Sequence, residues 1–238
     1  MNRREDIRLI FEECDANISR IDAIYNSAKS DDQQMEVLKP IVKSTLEHLR
    51  SILEYSAQDI WESYTKKKNK PYFPYGKNTE FFQKSVKKNL PGLAEQRPDI
   101  LSLIESIQPQ AANESWLLNL CEYTNSNKHD RLKGQVRRDS PSNTISINNG
   151  DIVIRDSTNV NIVEYIYNGM KINSAPMHIS STTPSQVLKG MVNEGVEIKK
   201  QHDWVEFHFE GSVHDVLALL KQSREEIELY ILKLYTLI

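Results

Sequence analysis

Two long helical stripes in direct succession restrict the fold more than any other feature of this chain. From Asn2 to Ala28, the residues Ile7, Ile10, Phe11, Cys14, Ile18, Ile21, Ile24 and Tyr25 recur at steps of three and four, which lines one face of an α-helix. Ser30, Asp31 and Asp32 interrupt the pattern and offer an N-cap. A second stripe then runs through Val37, Leu38, Ile41, Val42, Leu46, Leu49, Ile52, Leu53, Ile60, Trp61 and Tyr64. Two helices of roughly 25 and 35 residues joined by so short a polar turn are expected to pack antiparallel. Pro40 is expected to mark a kink near the start of the second.

The segment "PYFPYGKNTEFF" that follows has two prolines and a glycine among aromatics and reads as irregular chain. Shorter helices are expected over Thr79 to Asn89, from "RPDI" to near Pro109, and from Asn113 to about Lys128. Beyond Arg138 the period changes from helix to strand. "TISINNGDIVIRD" alternates around Asn148, Asn149 and Gly150, and "VNIVEYIYNGMKI" repeats the form with Asn168 and Gly169 at its turn, both hairpin signals. "GVEIKK" and "DWVEFHF" suggest a further hairpin joined through Gln201 and His202, with His208 on the solvent face. A final stripe of Val216, Leu217, Leu220, Ile227, Ile231, Leu234 and Tyr235 follows a box-like Ser212 and Asp215. Such an apolar helix must be covered by the sheet, by the bundle or by a second copy of the chain. The reading is an α+β chain: a helical bundle over 1–138, then an antiparallel sheet of five or six strands and a closing helix over 139–238.

Composition narrows the function classes. The 238 residues suffice for a core without disulfide or metal. Two cysteines, Cys14 and Cys121, both in apolar helical patterns, fit a reduced compartment. The charged start carries no secretory-type apolar run, and no window approaches a membrane span, so a soluble cytoplasmic protein is expected. No phosphate-cradling glycine loop, H-E-x-x-H, paired C-x-x-C or G-x-S-x-G occurs, and no metal or cofactor is expected. The net charge of -3 conceals blocks: residues 65–90 hold eight Lys against one Glu, and residues 128–138 hold five Lys or Arg against one Asp. Blocks of this kind suit either an anionic partner or a solvated loop. Aromatics beside them could stack unpaired bases, or simply pin the loop to the bundle.

The stretch "CEYTNSNKHDRL" concentrates the remaining chemistry. Asn125 and His129, four residues apart, share one helix face, with Glu122 a turn behind. A histidine there could act as general base toward a ribose 2'-hydroxyl, with Asn125 positioning it. Phosphate contacts would come from Lys128, Arg131, Lys66, Lys67, Lys68 and Lys70. The same residues also fit a basic helix C-terminus complementing its dipole.

The order of a helix bearing "LRSILEYSAQDIW", an aromatic Pro-rich loop, "SIQPQ" and "WLLNLCEYTNSNKHDRL" resembles HEPN-type helical domains of bacterial toxin and defence systems, over residues 1–135. The resemblance implies an RNA-directed protein, usually dimeric, and in active members a metal-independent endoribonuclease with an Arg four to six residues before its His. His129 matches the histidine, but positions 123–125 are Tyr, Thr and Asn, so the motif arginine is absent. An inactive relative would bind RNA or a partner protein. From a different class, the chain reads as a non-catalytic interaction module that forms a homo-oligomer through its C-terminal helix.

Overall fold

The computed structural model describes residues 3–129 and 131–238, apart from the side chains of Lys128 and His129. Helices come first: α1 (Arg4–Ala28), α2 (Lys39–Tyr64), α3 (Thr79–Asn89), α4 (Leu93–Gln96), α5 (Pro98–Ser106), α6 (Pro109–Ala112) and α7 (Trp116–His129). Short strands follow: β1 (Gln135–Asp139), β2 (Asn143–Ile147), β3 (Ile152–Arg155), β4 (Val160–Ile162), β5 (Ile166–Tyr167), β6 (Met170–Lys171) and β7 (Met177–Ile179). The chain closes with α8 (Ser185–Gly190), β8 (Ile198–His202), β9 (Val205–Phe209) and α9 (Val216–Leu237). The fold is α+β, as the change of period predicts.

Two compact units share the chain, one made of Met1–Ile21, Leu38–Gly134 and Phe209–Ile238, the other of Asp22–Val37 and Gln135–His208. Of the coverings open to the closing helix, the sheet, the bundle or a second copy, α9 takes the bundle, because its stripe finds apolar partners there. Leu220, Ile227 and Leu234 are wholly buried; the Tyr230 hydroxyl lies 3.2 Å from Ser56 Oγ on α2, and its ring meets Phe73 edge-on at 5.7 Å.

Within the helical unit α2 is central, with Leu46, Leu49, Ile52, Leu53 and Ile60 fully covered. The Tyr235 hydroxyl donates to Asp59 Oδ2 at 2.6 Å, so α9 runs parallel to α2. Arg224 on α9 pairs with Asp15 on α1 at 2.6 Å, while Arg4 reaches the Tyr235 carbonyl at 3.0 Å. α1 therefore runs opposite to both α9 and α2, as the short connection predicts. The Pro40 kink does not occur: α2 begins at Lys39, which puts the proline in the first turn, where its missing N–H costs nothing. Asp31 and Asp32 do not cap α2 either; its N-cap is Leu38, without a side-chain bond. Nor does Ser212 cap α9, since Asp215 does so itself, accepting from the Ala218 N–H at 2.8 Å.

In the second unit β3, β2 and β8 form an antiparallel sheet that buries Ile145, Ile147, Ile154 and Ile198 on one face. Both NG-type turns form, with positive φ at Asn148, Asn149 and Gly150, and at Asn168 and Gly169. The hairpin expected between the last two strands does not. β8 extends through Gln201 and His202 and pairs with β2, and β9 pairs with β1, because Ile198, Lys200 and His202 all point inward. More strands form than expected, nine short ones in four small sheets among the described residues. His208 is buried rather than solvent-facing, with Nε2 at 2.6 Å from Glu206 Oε2.

Asp32 explains the missing cap on α2. Its Oδ2 accepts from the Ser185 N–H at 2.9 Å at the start of α8, and Oδ1 stands 3.3 Å from His202 Nε2. Burial alone pushes this carboxyl up; hydrogen bonds from Ser185 and His202, together with the positive charge of Lys200, outweigh burial and hold it below the usual range. A depressed carboxylate stabilises the fold above its unfolded value, about 3.9, and the contribution is lost as pH falls through the lower folded value. Urea midpoints of the native chain and of Asp32→Asn are expected to differ at about pH 7 and to converge toward about pH 2; a constant gap contradicts this.

Candidate functional site

The end of α7 organises what the sequence singles out. Asn125 is exposed and its Nδ2 donates to the Tyr75 hydroxyl at 3.2 Å. Asn127 is buried, and its Oδ1 accepts from the Lys133 N–H at 3.0 Å, which folds the chain back after the helix. Arg131 is exposed and lies 3.5 Å from Glu210 Oε2, so its described partner is a carboxylate. The side chains of Lys128 and His129, the proposed base, lie outside the described residues.

Lys66, Lys67, Lys68 and Lys70 do not join this end. α7 is antiparallel to α2, with Thr124 bonded to the Leu46 carbonyl and Cys121 to Arg50, so its C-terminus points toward the start of α2. The lysines follow the other end of α2, about 20 Å of helix beyond Arg50 at 1.5 Å per residue. A single constellation of Asn125, His129 and all four lysines is thus not assembled, because the rigid length of α2 separates them. The lysines form a basic groove of their own, about 730 Å³ in volume, with Arg3, Trp61 and Thr65.

Asn125 instead adjoins a second groove, about 430 Å³, lined by Tyr75, Lys77, Phe81, Lys84, Lys88 and Glu122. Phe81 is 48% exposed, with the Lys77 and Lys84 ammoniums 4.7 Å and 5.8 Å from its ring centre; Lys84 also pairs with Glu80 at 2.6 Å, an exposed surface pair. Local chemistry builds this face. Asn78 caps α3 by accepting from the Phe81 N–H at 3.1 Å, which turns Phe81 outward while Phe82 enters the core. Gly76 lets the loop cross the start of α3, since a Cβ there would lie 2.2 Å from the Phe82 nitrogen. Buried Gln108 holds the loop from beneath, accepting from the Gly76 N–H at 3.2 Å and donating to the Pro74 carbonyl at 3.3 Å. Arg50 supports Tyr75, its guanidinium 4.8 Å from the ring centre.

Two features that look reactive are not. Cys121 sits 2.5 Å from an Arg50 nitrogen, a pairing that could activate a thiolate, but burial dominates and pushes the thiol up to about 11. It stays protonated at neutral pH and is structural. His214 bonds Tyr123 through Nδ1 at 2.9 Å and Asn119 through Nε2 at 3.1 Å, which leaves neither ring nitrogen open. Among the described residues no three His, Cys, Asp or Glu side chains stand close enough to hold a metal ion, and no helix is long and apolar enough to cross a membrane.

The arrangement gathers flexible cations over and around an exposed ring, a combination whose chemistry suits a polyanion with unpaired bases. Its signal was present in the sequence as Lys77, Phe81, Lys84 and Lys88, spaced by four, three and four, the helical rhythm applied to lysines and one aromatic. The fold and this groove together define a class, an α+β protein with a basic, aromatic-faced helical unit. No protein-family model, curated protein or solved structure matches the chain.

Proposed function

We propose that this chain is an RNA-directed protein, of the toxin or defence type its helix order resembles, and that it holds single-stranded RNA in the groove of Tyr75, Phe81, Lys84 and Lys88. The observation that carries the reading is the exposed Phe81 ring bracketed by the Lys77 and Lys84 ammoniums. A base stacked on such a ring contributes about 1 to 3 kcal/mol, and the flanking cations neutralise its phosphates. Binding is favoured over cleavage because no arginine stands four to six residues before His129. Pairing of two chains through α9 has less in its favour, since the helix stripe is spent on α2, α5 and α7, leaving Leu229, Leu232 and Leu237 as its exposed large apolar side chains.

Fluorescence anisotropy with a labelled oligouridylate of about 4 nucleotides tests the proposal. Phe81→Ala is expected to weaken binding about 5- to 150-fold, the equivalent of one stacked base. Lys84→Ala with Lys88→Ala is expected to flatten the dependence on log[salt] by about 1 to 1.5. Absence of binding at low salt, or affinity and salt dependence equal to the native chain's in both variants, overturns it. Retention of RNA cleavage in EDTA by native chain and its loss in His129→Ala would restore the catalytic reading.

A further inference from the structure

We infer that the groove of Lys66, Lys67, Lys68 and Lys70 is the second half of one track, which carries the phosphates of a longer single-stranded RNA past the end of α3. This rests on the RNA reading above and extends it to a surface that reading does not use.

Three observations carry it. First, the lysine loop is built rather than loose: the Trp61 indole N–H donates to the Lys67 carbonyl at 2.6 Å, and the Lys67 N–H donates to Thr65 Oγ1 at 3.2 Å. Main-chain anchoring of this kind leaves the four ammoniums exposed without leaving the backbone to wander.

Second, the acidic groups beside the groove are already answered. Arg3 bonds Asp59 Oδ1 at 2.5 Å and Glu62 Oε1 at 2.8 Å, and Asp59 also accepts from Tyr235. None of the four lysines takes part in an ion pair among the described residues. Their charge is available to an external anion.

Third, the two grooves abut one contact. The Tyr64 hydroxyl at the end of α2 donates to the Pro91 carbonyl just beyond α3, at 3.3 Å. Thr65, the next residue after Tyr64, lines the lysine groove; Asn89, two before Pro91, lines the Phe81 groove. Lys88, which lines the Phe81 groove, and its neighbour Lys87 are both exposed in the last turn of α3, three and four residues before Pro91. Cations therefore continue from Lys77 along α3 to Lys70, with exposed rings near both ends, Phe81 at the α3 start and Tyr72 just after Lys70. The four lysines of the loop add contacts to backbone phosphate, which do not depend on sequence.

The test compares oligouridylates of about 4 and about 12 nucleotides on the full chain and on a variant with Lys66, Lys67, Lys68 and Lys70 all replaced by alanine. All four side chains are exposed, and the Trp61 bond is to main chain, so the variant keeps the anchored loop. With the native chain, the longer strand is expected to show a salt slope steeper than the shorter by about 2 to 3, from four added contacts at about 0.7 each. In the variant that excess is expected to vanish while binding of the short strand stays unchanged, which also reports that the protein is folded. Equal slopes for both strands, or an unaltered long strand in the variant, overturn the track and leave the Phe81 groove standing. Equal loss for both strands overturns it too, because the loop then acts as a general field. If neither strand binds, the track and the RNA reading fall together.

Discussion

Replacing Arg50 by alanine is expected to lower the stability of the helical unit by about 3 kcal/mol and to weaken RNA binding in the same variant. Arg50 is a half-hidden cross-brace, its side chain 12% exposed. It pairs with Glu54 at 2.5 Å on its own helix, meets Cys121 on α7 at 2.5 Å, and lies under the Tyr75 ring. Glu54 in turn accepts from the Phe73 N–H at 2.7 Å, so the pair fixes both α7 and the aromatic loop to α2. Alanine leaves Glu54 largely covered with no cation and removes the support of Tyr75, so packing and groove geometry fail together. Arg50→Lys keeps the charge and loses the planar fork, and is expected to fall between the two. Urea unfolding followed by tryptophan fluorescence, with anisotropy on the same preparations, checks this; an unchanged midpoint in Arg50→Ala contradicts it.

Arg137→Met is expected to open the second unit, at a cost of about 3 to 5 kcal/mol. The guanidinium is only 3% exposed and donates to the carbonyls of Ala28 at 3.0 Å, Asp31 at 2.5 Å and Gln34 at 2.9 Å, while Nε reaches Asp139 at 2.6 Å. One buried side chain thus ties together the C-terminal end of α1 and the turn after it, adding to the main-chain bonds from the Asp31 and Gln34 N–H groups that Ala28 and Asp31 already accept. Lysine offers a single nitrogen to three separated carbonyls and is expected to rescue little. Amide hydrogen exchange over residues 143–155 reads the effect, as a loss of protection confined to the second unit. Protection equal to that of the native chain would contradict the bracing role.

These two arginines show where sequence reasoning stops. Stripes of Ile, Leu and Phe announced every long helix, since a 3.6-residue period can be counted without knowing the partner. The NG turns were equally legible, because Asn168 and Gly169 adopt positive φ for local reasons. Nothing local marks Arg137 as buried or Asp32 as a cap for α8, as both depend on segments more than a hundred residues away. Strand partners were misjudged for the same reason: β8 and β9 are neighbours in sequence, but Ile198 and Val205 belong to different ladders. At the candidate site, the loop that Asn125 meets through Tyr75 reads in the sequence as either a pinned loop or a stacking surface. Only the antiparallel course of α2 and α7 decides that Tyr75 and Phe81, and not Lys66 to Lys70, lie beside Asn125.

Ultraviolet crosslinking of a uridine-rich single strand to the full chain, with adducts mapped by mass spectrometry, tests the proposed RNA-binding role of the Phe81 groove most directly. Adducts at Phe81 and Tyr75 are expected, lost in Phe81→Ala and suppressed by salt. Adducts confined to residues 135–208, or none under conditions where the strand is bound, would contradict it.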